Sequence, residues 1–156
     1  MTFRKTVAGI IYQDNEFLLI RKPHWKKLVG DVEVVWWDLV QGGVEPGESL
    51  DECIVRELRE ETSSNNFELP IYTHVFNRRL FSEQTQKHYS DRGNIGKEIS
   101  YYAVKYIGDR SEIRVGDDIV EAKWFNNKEA IDSIYEENRS YFVKAINFMR
   151  ERKMII

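Results

Sequence analysis

The stretch from Gly42 to Ser64, GGVEPGESLDECIVRELREETSS, constrains this chain most, because it specifies a turn, a helix start and the direction in which a group of acids points. Glu45-Pro46-Gly47-Glu48 has Pro to pre-set φ and Gly to take positive φ, as a type II turn requires. Ser49 followed by Glu52 fits a capping box, so the helix is expected to begin at Leu50. At about 100° per residue from Leu50, the residues Leu50, Cys53, Ile54 and Leu58 define an apolar stripe, with Asp51, Glu52, Arg56 and Arg59 roughly opposite. Glu57 falls near ~340° and Glu61 near ~20°, inside that stripe, while Glu60 flanks it near ~280°.

A run of glutamates on a helix is ordinarily a solvated face, but these angles turn the acids inward. Like charges three and four residues apart cost a helix a few tenths of a kcal/mol per pair, and partly burying an unpaired carboxylate costs several kcal/mol. A divalent cation removes both penalties. Hard ions such as Mg²⁺ take one or two carboxylates together with waters and substrate phosphates, so the pattern points to a Mg²⁺ or Mn²⁺ site that works on phosphate.

The spacing also resembles the Nudix box: Gly42, five residues, Glu48, seven residues, Arg56-Glu57-Leu58, one residue, Glu60-Glu61. It departs from the family at Ser63-Ser64, where Gly and an apolar residue are usual; Asn65 or Asn66 is expected to supply the left-handed residue at the helix exit. The resemblance implies an α/β fold, a Nudix-type α/β/α sandwich around a mixed β-sheet, and a hydrolase that opens a phosphoanhydride bond. It makes Glu57, Glu60, Glu61, Glu48 and Gly42 the candidate metal set, with Glu48 either a ligand or part of the supporting shell. Arg56 is implied to orient the glutamates through ion pairs, and the Gly42-Gly43 pair to let backbone approach the ligand. A further carboxylate from outside the box is expected, with Glu98 the candidate and Glu121 a weaker one. The candidate catalytic set is therefore Glu57, Arg56 and Glu98, with Glu57 and Glu98 competing for the role of base. Arg21, Lys22, Trp37, Gln41 and Lys97 are candidate substrate contacts.

Trp37, Val40, Gly42, Val44, Glu45, Gly47 and Glu48 together resemble dihydroneopterin triphosphate pyrophosphohydrolases, which also act on dATP; this implies cleavage of a triphosphate to a monophosphate and pyrophosphate. Gln41-Gly42-Gly43 is instead similar to dinucleoside polyphosphate hydrolases and RNA 5′-pyrophosphohydrolases, which usually carry Pro where this chain has Val40. Nucleotide sugars and ADP-ribose complete the substrate classes. A nucleotide-binding regulatory module without hydrolysis is the reading from another class.

With 156 residues, 42% of them hydrophobic and 13% aromatic, the chain is read as one domain over 1–156, large enough for a real core. A net charge of −3 gives no broad attraction to nucleic acid or anionic membrane. The expected partner is a small nucleotide or pterin polyphosphate, with nucleic acid entering only as a capped or triphosphorylated RNA 5′ end, in a monomer or homodimer. The one cysteine, Cys53, is read as core. Val7 to Tyr12 is too short for a signal segment or a membrane span, so a cytoplasmic enzyme is expected.

In chain order, Lys5 to Tyr12 and Phe17 to Arg21 read as a hairpin, Lys22 to Val32 as a loop, and Val34 to Val40 as one buried strand. Trp36 and Trp37 must project to opposite sides, so at most one is expected in the core while the other can border the ligand pocket, with packing the favoured reading for both. Ile71 to Phe76 is a strand with His74 structural. Ser82 to Lys97 is irregular, with Lys87, His88, Tyr89, Arg92 and Lys97 as possible contacts. Glu98 to Ile107, Ile113 to Val115 and Glu121 to Phe125 read as strands, with Gly116-Asp117-Asp118 as a turn. Asn126 or Asn127 caps a helix to about Tyr135, and Phe142, Val143, Ile146 and Met149 mark a closing helix.

Overall fold

The run Val7 to Tyr12 is apolar at nearly every position because both faces of its strand are covered. In the computed structural model, which describes residues 2–81 and 93–156, β1 (Thr2–Gln13) lies at the centre of a mixed sheet. It pairs along nearly its whole length with β7 (Asn94–Lys105) in parallel and antiparallel with β2 (Glu16–Arg21) and β5 (Val40–Gly43) on the other side. β6 (Ile71–Leu80) borders β7, and β8 (Glu121–Phe125) borders β2, giving the order β6-β7-β1-β2-β8. Asp14 and Asn15, both at positive φ, close the β1–β2 hairpin as the sequence predicts.

One face of the sheet packs α1 (Leu50–Thr62), with Cys53, Ile54 and Leu58 against Val7, Ile11 and Val104. The other packs α2 (Asn127–Ser133) and α3 (Glu136–Glu151), with Phe142, Ala145, Ile146 and Met149 against Ile10, Leu19 and Tyr101. These are the three layers expected of the α/β/α sandwich. Burying each large side chain contributes about 1.5–3 kcal/mol. Leu50 is an exception to the expected stripe: at the first helical position it is 36% exposed, because the layer beneath begins only at Cys53. Among the described residues no helix is long and apolar enough to cross a membrane.

Several segment boundaries differ from expectation. Lys22 to Val32 is not a plain loop: β3 (Lys26–Val29) and β4 (Val32–Val35) form a separate ribbon around Gly30-Asp31, exposed on both faces, so it shows no alternation of apolar and polar residues. The two-residue Gly-Asp connection between apolar runs was its only signal. Val34 to Val40 is therefore broken, with β4 exposed and Trp36-Trp37-Asp38 making the passage to β5 through isolated bridges of Trp37 to Ile134 and Asp38 to Ile20. β6 continues to Leu80, past an irregularity where His74 takes positive φ. β7 begins at Asn94, so Lys97 belongs to a strand and Glu98 lies within it. Ile113 to Val115 is irregular and follows a short 3₁₀ turn, while Gly116 to Ile119 turns as expected. Lys87, His88, Tyr89 and Arg92 lie outside the described residues.

Candidate active site

The turn before α1 forms as predicted, with Gly47 at φ 79° and the Glu48 amide donating to the Glu45 carbonyl at 3.0 Å. Both halves of the Ser49–Glu52 capping box are present. At the other end the left-handed residue is Ser63 itself (φ 58°, ψ 21°), not Asn65 or Asn66; its amide reaches the Arg59 carbonyl, while Asn65 accepts from the Arg59 side chain.

Between these caps the acids face as the helical angles require. Glu57 and Glu61 are each 7% exposed, and Glu60 is exposed beside them. Arg56 holds the group from the flank: Nε and Nη2 donate to the two oxygens of Glu48 at 2.7 and 2.9 Å, Nη1 donates to Glu57 at 2.8 Å and to Glu60 at 3.2 Å, and Nη2 also reaches the Gly43 carbonyl at 3.0 Å. This fork keeps the Glu48 carboxyl down at about 2. Both oxygens of Glu48 are thus engaged by Arg56, and one of them also accepts the Glu45 amide.

Burial pushes the Glu57 carboxyl up, against the pull of Arg56, and pushes Glu61 up to about 7 against Lys22. Glu61 Oε2 is buried with no hydrogen-bond partner among the described residues, and the nearest cation, Lys22 Nζ, is 4.0 Å from Oε1. Among the described residues no three His, Cys, Asp or Glu side chains already converge as metal ligands. An orphaned, desolvated carboxylate oxygen beside a second buried carboxylate is nevertheless the donor chemistry a hard divalent ion needs, with water and phosphate completing the shell. The residues fit such an ion.

The glycine pair also makes room for two charged side chains. A Cβ on Gly42 would coincide with the Glu57 carboxyl, and a Cβ on Gly43 would coincide with the Arg4 guanidinium. Gly42 thus makes room for an acid on one side of β5, and Gly43 for a base on the other. The cleft wraps this strand and is lined by Arg4, Thr6, Lys22, Gln41, Lys97 and the acids of α1. It continues past Arg4, Gln41 and Lys97 to Trp36, Asp38, Arg79 and Tyr135.

Of the predicted contacts, Lys22, Gln41 and Lys97 reach the cleft. Arg21 and Trp37 do not line it: Arg21 pairs with Glu121 at 3.7 Å, and the Trp37 ring meets Phe125 edge-on at 5.1 Å. Trp36, read as packing, lines the cleft together with Trp25, and stacks on Tyr135 at 5.3 Å. Glu98 does not join the acids. It stands opposite Lys5 on one side and Arg78 on the other, and accepts from Arg78 at 2.6 and 3.1 Å. It neutralises a cross-strand row of bases. Glu121 is likewise taken, by Arg21.

Arg4, Thr6, Asp38 and Arg79 are cleft residues that sequence reasoning missed. Asp38 and Asn138 are bound together in the interior: the Asn138 amide donates to both Asp38 oxygens at 3.0 and 2.8 Å, and its carbonyl accepts from Arg79 at 3.1 Å and Tyr101 at 2.9 Å. Cys53 is fully buried, its thiol pushed up to about 12 by burial, and it is core as expected.

A family profile described as NUDIX domain matches residues 2–145. The chain is 28% identical over 121 residues to the RNA pyrophosphohydrolase of Afipia carboxidovorans, covering 74% of this chain and 69% of that protein. Its fold is similar to the dihydroneopterin triphosphate pyrophosphohydrolase of E. coli (TM-score 0.73, 18% identity, 94% of this chain and 99% of that one). It is also similar to a binary complex of the Ap4A hydrolase of C. elegans (TM-score 0.68, 20% identity, 95% and 98%). The family match covers nearly the whole sheet-and-helix body that holds the box acids, and the chain belongs to the Nudix hydrolases, which act on phosphorus-containing anhydrides.

Proposed function

We propose that this chain hydrolyses a nucleoside or pterin triphosphate to the monophosphate and pyrophosphate, with Mg²⁺ or Mn²⁺ held by Glu57 and Glu61 and completed from Glu60. The observation that carries the reading is the buried Glu61 carboxylate with one oxygen unsatisfied among the described residues, beside Glu57 in a cleft that Arg4, Lys22 and Lys97 also line. An ion in this position supplies neutralisation of the phosphate oxygens and activation of a water. The chain's own residues do the positioning. Arg56 holds Glu57 and Glu60 on one side while Glu48 holds Arg56. Lys22 and Lys97 meet the negative charge that accumulates on non-bridging oxygens. With Glu98 occupied by Arg78, Glu57 is the remaining candidate to take the proton from the attacking water. The Trp36–Tyr135 stack supplies a flat apolar surface for a base or pterin ring.

A second reading, a dinucleoside polyphosphate or RNA 5′-end pyrophosphohydrolase, is favoured by the names of the relatives at 28% sequence identity and in the fold comparison. One experiment separates the two. The protein is incubated with Mg²⁺ or Mn²⁺ and dATP, dihydroneopterin triphosphate, diadenosine tetraphosphate or 5′-triphosphorylated RNA, and products are identified. Pyrophosphate from dATP or the pterin supports the first reading; ATP plus AMP from diadenosine tetraphosphate, or pyrophosphate from RNA alone, supports the second. Ligand binding without any product would make the chain a nucleotide-binding module. Glu57→Gln and Glu61→Gln are each expected to reduce turnover by roughly 100-fold or more, about 3 kcal/mol of transition-state stabilisation. Normal metal-dependent turnover in both variants would overturn the assignment.

A further inference from the structure

Across three neighbouring strands the register sets Arg4, Lys97 and Arg79 side by side: Lys97 stands opposite Arg4 on β1 and opposite Arg79 on β6. Partners directly opposite share a face of the sheet, and like charges in that position destabilise it. The next row, on the reverse face, shows the ordinary solution. There Lys5 and Arg78 flank Glu98, an acid between two bases. The Arg4–Lys97–Arg79 row has a base in the middle instead.

Among the described residues, Glu137 and Asp38 are carboxylates that act on this row. Glu137 pairs with Arg79 at 3.4 Å, and Asp38 is held by the Asn138 amide and the Leu39 N–H. No ion pair among the described residues includes Lys97, whose ammonium burial pushes down to about 8, with Arg79 and Arg4 adding to the effect and Asp38 and Glu137 opposing it. On the same face, Thr6 is 3% exposed, its hydroxyl has no hydrogen-bond partner among the described residues, and it lines the cleft beside Arg4 and Lys97. A half-buried lysine between two arginines, next to an orphaned hydroxyl, is suited to an anion with several oxygens.

We propose that Arg4, Lys97 and Arg79, with the Thr6 hydroxyl, form a phosphate subsite separate from the carboxylates of α1, which takes the part of a polyphosphate chain that the metal does not. This rests on the hydrolase reading above and narrows its substrate class. The Gly42-Gly43 backbone separates the acid side of the cleft from the basic side, so a substrate engages both only by passing around that strand. A chain of three or more phosphates occupies both sides, whereas a diphosphate such as ADP-ribose or a nucleotide sugar leaves the basic row unfilled.

The test is metal-free binding. Full-length protein in EDTA is titrated calorimetrically with inorganic tripolyphosphate and with orthophosphate, and its thermal midpoint is recorded. Wild type is expected to bind tripolyphosphate and to bind orthophosphate far more weakly. Lys97→Met is expected to weaken tripolyphosphate binding by roughly tenfold or more. The same variant is expected to raise the thermal midpoint, because it removes one of three adjacent like charges; a merely structural lysine would lower it. Lys97→Gln serves as the second variant, and Lys128→Met, which makes the same charge change on the exposed surface of α2, should leave both readouts unchanged. Unaltered binding in both Lys97 variants, or no metal-free binding by wild type, would overturn the subsite. If binding fails while Mg²⁺-dependent release of pyrophosphate from dATP proceeds, only this inference falls. If binding is found but no nucleotide is hydrolysed, only the enzymatic reading falls.

Discussion

Ser63 holds a left-handed backbone conformation that a residue with a Cβ occupies at a cost, and it does so where the helix must end for the chain to turn toward Asn65. Ser63→Gly is therefore expected to stabilise the protein by about 0.5–1 kcal/mol without changing turnover, read as a rise in the denaturant midpoint. Glu61 sets a pH dependence of opposite character to that of most surface acids. Its folded value near 7 lies above the ordinary 4.5, so between those values the folded state binds more protons than the unfolded one. Its contribution is fully favourable below about 4.5 and is lost as pH rises toward 7, by on the order of 2 kcal/mol. In EDTA, Glu61→Gln should be more stable than wild type at pH 7.5 and should lose that advantage at pH 5, as measured by urea unfolding. An equal difference at both pH values would show that the carboxylate is not desolvated. The direction of Glu57 and Glu61 was legible because helix angles relative to Cys53, Ile54 and Leu58 follow from covalent geometry alone. The fate of Glu98 was not, because its partners Arg78 and Lys5 come from two other strands.

On the scale of the element, α1 works as one unit with the turn that precedes it. Arg56 joins Glu48 in the turn, the Gly43 carbonyl of β5 and two acids of its own helix, a task that needs a planar fork with five donors. Arg56→Lys keeps the charge but offers a single ammonium. It is expected to reduce metal-dependent turnover by roughly 10–100-fold and to cost about 1–3 kcal/mol of stability, checked by steady-state kinetics alongside urea unfolding. Wild-type turnover in that variant would show that charge suffices and geometry does not matter. The capping box and type II turn were readable because each rests on residues within four positions of one another. The β3–β4 ribbon was obscured because neither of its faces is buried, which removes the two-residue alternation from which strands are recognised.

For the molecule as a whole, the cleft exists because α1 packs one face of the sheet and α2 with α3 pack the other, leaving the edge beside β5 open. Asn138 of α3 ties the far end of that cleft together by connecting Asp38, Arg79 and Tyr101 from three other parts of the chain. Removing its amide in Asn138→Ala strands a buried carboxylate, and a loss of about 2–4 kcal/mol in urea unfolding is expected. Less than 1 kcal/mol would mean that Asp38 finds water in its place. By itself the sequence determined the α1 motif, the inward set of its acids and the family to which it belongs, since these depend on local spacing and the pitch of one helix. Only the tertiary structure decided that Gly43 makes room for Arg4, that Trp36 and not Trp37 meets the cleft, and that Arg4, Lys97 and Arg79 stand in one row. Those relations follow from strand register, and register joins residues far apart in the chain through hydrogen bonds that no local pattern encodes.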